Sequence, residues 1–270
     1  MVKNEGDRLI RVVVSTPGNE YFNPGNLAAH NLTQLADQDL ARTQHDALKT
    51  TLRASGAKVI DLPELAGHPN SVFTRDTALA TPDGYIRLEL GLATRAGEEI
   101  WMAACLDADG VPCVGEIVSP GTVEGGDVIL AGRVAFIGRT LRTNDDGIRQ
   151  LSRFLEKMGF EIRVIPIPPT ILHLDKVMMM TGPDSILYCR DFVDPDFLTG
   201  FETTALACHD TATANIICLG PAECLVDSAN TRVIEKLENR GTTVHILDLS
   251  EFAKGTGGPN CLIMPVERTT

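Results

Sequence analysis

The feature that most constrains the fold is a strand, turn, strand unit that keeps returning along the chain. TALATPDGYIRLEL turns at Pro82, Asp83 and Gly84, GDVILAGRVAFIG at Gly132, KVMMMTGPDSILYC around Pro183, and ANIICLGPAECLVDS around Pro221. The first three turns recur roughly fifty residues apart. Between the hairpins lie stretches of helical spacing, followed by single strands such as EIRVIPI and TVHILDL. The clearest helix, DDGIRQLSRFLEKMG, offers Asn144 or Asp145 as N-cap and Gly159 at its end. Its apolar face is Ile148, Leu151, Phe154, Leu155 and Met158. One such unit cannot bury its apolar face alone, whereas several set around an axis can. The pattern predicts an α/β chain of modular, propeller-like units, with an ordinary α/β domain of coincidental spacing as the competing reading.

The N-terminal part fits the same scheme. Leu9 to Ser15 reads as a first strand, about Leu35 to Ser55 as a helix, and KVIDL as the next strand. Between them, NEYFNPGNLAAHNL (residues 19–32) is expected to be irregular because of Pro24 and Gly25, as a lid or as a surface loop. No low-complexity linker divides the chain, so residues 1–270 are read as a single catalytic domain. Only 5% of residues are aromatic, which leaves Val, Ile, Leu, Ala and Met to fill the core. Thirty-six acidic against twenty-four basic residues give a net charge of −12, which argues against a general nucleic-acid binder. No run reaches the roughly 18 apolar residues of a membrane helix. MVKNEGDRLIRVVVS reads as a strand and not as a signal peptide. A cytoplasmic protein without membrane partners is the expectation; oligomeric state is unreadable, a homo-oligomer being possible.

Four segments could carry chemistry. In SVFTRDTALA, period-2 alternation places Thr74 and Asp76 on one face and Phe73 and Arg75 on the other; Asp76 needs a cation or donors, and Arg75 is the nearest candidate. In GTVEGGDVIL, Glu124 and Asp127 flank a glycine pair, read in isolation as a turn with solvated acids. In TILHLDKVMMM, His173 and Asp175 stand two apart in an apolar strand and share a face, suiting general acid/base work or a structural role. No third ligand at a recognisable spacing supports a metal, and neither metal nor cofactor is expected. In GTGGPNCLIMPVER, Cys261 sits at an element terminus, exposed enough to pair with a histidine as a nucleophile. The seven cysteines form no C-x-x-C pair, which weighs against a zinc ribbon, and most others, including Cys105, Cys189 and Cys218, lie in apolar runs as packing residues. Cys208 beside His209 is a weak hint of a metal or thiol site.

Taken together and in order, FTRD, EGGD, HLD and the terminal GGPNC resemble the guanidine-modifying superfamily called penteins, which includes arginine deiminases, dimethylarginine dimethylaminohydrolases and amidinotransferases. The resemblance spans nearly the whole chain. It implies a five-bladed pseudo-symmetric α/β propeller of ββαβ units around a polar channel. It also implies Cys261 as nucleophile, His173 as general acid/base, Glu124 as its partner, and Asp76 and Asp175 as carboxylates holding a guanidinium, with Phe73 of FTRD also at the substrate. ATRAGEE and GRTLRTN resemble the segments that hold a substrate carboxylate, suggesting Arg95 and Arg142. Arg95 could instead pair with Glu98 on the surface. The implied reaction is hydrolysis of a guanidinium C–N bond in arginine or an N-omega-methylated arginine. Citrulline and ammonia or a methylamine would leave through a covalent Cys intermediate, the small cationic substrate itself helping to ionise Cys261. Compact length and the RTN segment resemble the dimethylarginine hydrolases, whereas HLD resembles the deiminases. A second acid beside the guanidinium favours open nitrogens over methylated ones. An amidinotransferase and an idle arginine-binding protein are the alternatives.

Overall fold

The computed structural model describes residues 1–207 and 213–269; Cys208 and His209 lie outside them. β1 (Arg8–Thr16) leads through the helix Gln38–Ala54 to a parallel β2 (Lys58–Pro63). β3 (Ala78–Ala80) pairs antiparallel with β4 (Tyr85–Arg87), which crosses through the helix Glu98–Ala108 to a parallel β5 (Cys113–Glu116). The same path is followed by β6 (Val128–Ala131), β7 (Val134–Arg139) and β8 (Glu161–Pro166), with the helix Asp145–Lys157 on the crossover. In β9 (Met178–Gly182), β10 (Ser185–Cys189) and β11 (Glu202–Leu206) the crossover carries only a 3-10 turn, Pro195–Leu198. β12 (Ile217–Gly220), β13 (Glu223–Asp227) and β14 (Thr243–Leu247) restore the helix, Thr231–Glu238. Last, β15 (Met264–Thr269) returns to pair antiparallel with β1. The five three-stranded sheets are the blades of a pseudo-symmetric α/β propeller of ββαβ units.

Local sequence explains which strand of each blade faces inward. The inner strands, among them VILA, MMMTG and ICLG, are buried along their whole length and pack blade on blade, β9 against β6 and β12, β15 against β3. The outer strands carry exposed charges, Lys58, Glu116, Glu161 and Glu202, which blunt their free edges against further pairing. In the helix Asp145–Lys157 the Asn144 side chain accepts from the Gly147 N–H. Ile148, Leu151 and Leu155 are buried, Phe154 and Met158 pack partly against the same core, and Gly159 takes φ +87° just past the end.

Two expectations change. Residues 19–32 are not wholly irregular: Pro24 and Gly25 separate two short helical pieces, Asn19–Phe22 and Leu27–His30, because Tyr21 and Phe22 are drawn into the core. Tyr21 donates to the Glu251 carbonyl and packs edge-on against Phe73. Cys218 is a buried free thiol and Cys105 a half-buried one, but Cys189 is disulfide-bonded and so is more than a packing residue. No described helix is long and apolar enough to cross a membrane.

Candidate active site

Four inner strands are entered through a one-turn 3-10 element, and these turns carry the chemistry. Their closing bonds run from Thr77 to Thr74, Val128 to Gly125, Val177 to Leu174 and Ile263 to Asn260. Aligned on those bonds, Glu124 and His173 occupy the same position just before the turn. Gly126, Asp175 and Cys261 share the second position within it, and Asp76, Asp127 and Lys176 the third. The expected strand alternation in FTRD and HLD is therefore corrected: Thr74–Asp76 and Leu174–Lys176 are turns, so His173 and Asp175 do not share a strand face. The turns also pack on one another. This explains the glycine pair: a Cβ on Gly125 would lie 2.1 Å from the Arg75 carbonyl oxygen, and one on Gly126 2.8 Å from His173 Nδ1.

Where the turns meet they line a narrow cavity that contains Phe73, Asp76, Arg95, Glu124, Arg142, His173 and Cys261. His173 Nε2 is 2.6 Å from Glu124 Oε2. The other Glu124 oxygen accepts from the Gly91 and Leu92 N–H groups and from Arg142 at 3.1 Å. Asp76 Oδ1 accepts from the Gly126 N–H and lies 3.9 Å from His173 Nδ1. Asp76 Oδ2 receives Arg95 at 2.6 Å, and Arg95 also holds Glu98 and the Phe73 carbonyl. Asp175 is fully buried outside the cavity lining, held by Asn260 at 3.0 Å, with Cys261 Sγ 3.8 Å away. Among the described residues, His173 Nδ1 and Asp175 Oδ1 have no hydrogen-bond partner, and of the two residues it is His173 that lines the cavity where a ligand would sit. Asp76, Glu124 and His173 lie close enough to hold a cation. Their atoms are instead engaged with each other and with two arginines, an arrangement suited to moving a proton.

Burial and neighbours set the charge states. Burial opposes a charged His173, but the carboxylates of Asp76, Asp127 and Glu124 outweigh it and raise its pKa to about 9. Burial likewise works against Asp76, yet His173 and Arg95 bring it down to about 2. His173 is thus an imidazolium at neutral pH, ready to act as an acid. Burial, then Asp175, push the Cys261 thiol up to about 11, with the Lys176 ammonium pulling the other way.

Several placements differ from the sequence reading. Arg75 does not pair with Asp76; it turns away to Glu5 at 2.7 Å and to the Gly125 and Val128 carbonyls. Arg95 does pair with Glu98, but buried and shared with Asp76, not on the surface. Glu124 and Asp127, read as solvated, are both fully buried, enclosed by the backbone of Gly91 and Leu92, the segment 140–143, and His173 and Leu174. Cys261 is 6% exposed instead of open, reached through the cavity. Lys176, Asn215 and Asn260 went unnoticed; a lysine heading the apolar run KVMMM was the one available signal.

A ring of ββαβ blades with a cysteine, a histidine and acids at its centre defines a guanidine-modifying propeller protein, a pentein. Comparison with known proteins agrees. The profile of the arginine deiminase family matches residues 65–212 and 207–268. The N(G),N(G)-dimethylarginine dimethylaminohydrolase of Pseudomonas aeruginosa is 29% identical over 226 residues, covering 84% of this chain and 88% of that one. The arginine deiminase of Borrelia duttonii is 24% identical, over 90% of this chain and 70% of its own. A solved structure of the Pseudomonas enzyme, a cysteine-to-serine mutant complexed with citrulline, superposes with a TM-score of 0.84 at 26% identity, covering 95% and 99% of the two chains. The chain belongs to the arginine deiminase family.

Proposed function

We infer that this protein is a cysteine-dependent hydrolase of guanidinium C–N bonds, acting on arginine or an N-omega-methylated arginine to give citrulline plus ammonia or a methylamine. The observation that carries the reading is the convergence of Cys261, His173, Glu124 and Asp76 on one cavity. In this reading Asp76 receives the planar guanidinium, with Asp175, 3.8 Å from the sulfur, adding a second negative charge nearby. The Cys261 thiolate bonds to the guanidinium carbon. The C–N bond to the departing amine breaks as His173, held by Glu124, gives it a proton. Water then adds to the amidino-thioether, passes a proton back to His173, and the ureido product leaves with the thiolate restored. Arg95 and Arg142 hold the substrate carboxylate and Phe73 borders the substrate. Arg95 donates to Asp76 in the free protein, so binding hands that oxygen to the incoming guanidinium.

A cytoplasmic, single-domain enzyme without cofactor is part of the same proposal. The test is incubation with arginine, monomethylarginine and dimethylarginine, with and without an acceptor amine, measuring citrulline, ammonia and methylamines. Citrulline with ammonia from arginine is the expected result, and amidino transfer to the amine identifies the amidinotransferase instead. No turnover in any mixture overturns the enzyme reading for these substrates. Cys261→Ser should abolish turnover and spare binding; an active variant removes Cys261 from the nucleophile's role.

A further inference from the structure

The best-placed cation beside the nucleophile is not the catalytic histidine. Lys176 Nζ donates to Cys261 Sγ at 3.3 Å, and to the Thr256 carbonyl at 3.0 Å. Thr256 is held at φ +60°, a region a β-branched residue rarely enters, and lines the active-site cavity. Asn215 Nδ2 approaches the same sulfur at 3.5 Å, and its Oδ1 accepts from the Asn260 N–H, which fixes the amide's direction. The sulfur thus has two N–H donors directed at it, one of them cationic. Donors and a positive charge stabilise the anionic form of an acid. Against them stand Asp175 on the same turn as Lys176 and Asp76 from the turn before β3; no other charged side chain is a leading influence on the thiol. The remaining partners of the sulfur, the Asn215 amide and the Gly258 backbone, are neutral and favour the thiolate.

We propose that Lys176 is a further catalytic residue: its ammonium is the counter-ion of the Cys261 thiolate as it forms, making the buried sulfur easier to ionise than it would be between Asp175 and Asp76 alone. The substrate's own charge then adds to a stabilisation already present. Lys176 also lines a second surface pocket, with Thr170 and Phe192, on the far side of Thr256 and Gly257 from the active-site cavity. Lys176 thus meets the sulfur without lining the active-site cavity itself. The reading rests on Cys261 being the nucleophile.

The test is alkylation of the substrate-free protein with iodoacetamide across pH, with modification at Cys261 followed by mass spectrometry. In Lys176→Met the midpoint should rise by about one pH unit or more, with alkylation near neutral pH roughly tenfold slower. Lys176→Arg should restore much of the wild-type profile. Lys176→Gln keeps a donor but loses the charge, and should shift like Lys176→Met; it also serves if the methionine variant fails to fold. Equal midpoints in the wild type and a folded neutral variant overturn the proposal. Alkylation needs no turnover, so a shifted midpoint in a protein that hydrolyses no guanidine keeps the ion pair and discards the function. Turnover with an unmoved midpoint does the reverse.

Discussion

Asp76 and Asp127 stand at the third position of equivalent turns in adjacent blades, both buried, and they have opposite electrostatics. Asp76 faces Arg95 and the imidazolium of His173, which outweigh burial and lower its pKa to about 2. Asp127 has only neutral hydrogen-bond donors, the hydroxyls of Thr140 and Thr143 at 2.7 Å and the Leu174 N–H at 2.9 Å, and the nearby His173 charge does not outweigh its burial. Burial dominates there, and its pKa rises to about 7. One backbone position thus yields an ionised ligand for a cation in one blade and a structural hub in the next. Asp127 holds Thr143, whose hydroxyl accepts from the Glu124 N–H, and also the backbone just after His173. It fixes both partners of the proton relay without touching the cavity.

Neutralising the ionised member should cost most. Removing one partner from a buried charge pair costs roughly 2–5 kcal/mol, so Asp76→Asn should lower kcat/KM by roughly a hundredfold or more, measured by citrulline release. Gly126→Ala comes next: its methyl would press on His173 Nδ1 and Asp76 Oδ1, and misplacement of catalytic groups by about 1 Å costs on the order of 10² in rate. A loss of less than threefold shows that the turn can yield. Asp127→Asn should cost only about tenfold, because it keeps the shape of the hub.

The pair should also separate by the pH dependence of stability. Asp127 binds its proton more tightly folded than unfolded, so its stabilising contribution is complete below pH 3.8 and fades as pH rises through about 7. Asp76 runs the other way: its contribution is present above pH 3.8 and is lost as pH falls through about 2. Urea midpoints from pH 4 to 8 should accordingly fall less steeply for Asp127→Asn than for the wild type; parallel curves mean that Asp127 titrates normally. The smallest effect is expected from Thr143→Val, about 1 kcal/mol of stability with a slight loss of kcat.

Much of the propeller could be read from the chain because its signals are local: apolar runs, Pro and Gly turns, and a capped amphipathic helix each lie within about fifteen residues. The 3-10 turns were hidden, being too short to show a period, and their residues were mistaken for strand. Cys261, His173, Glu124 and Asp76 were named by resemblance, and the structure brings them to one cavity. Lys176 was missed because the sulfur it meets lies 85 residues away. Arg95 was seen with Glu98 but without Asp76, 19 residues off across the blade.

Sequence alone determined the repeating ββαβ order and the residue types available for chemistry, because hydrophobic period and turn chemistry act over short distances. Tertiary structure decided which of two matching aspartates ionises more readily, which arginine covers Asp76 and which cation meets the nucleophile. Those outcomes depend on burial and on a few ångströms between segments far apart in the chain, where desolvation and Coulomb forces set the balance.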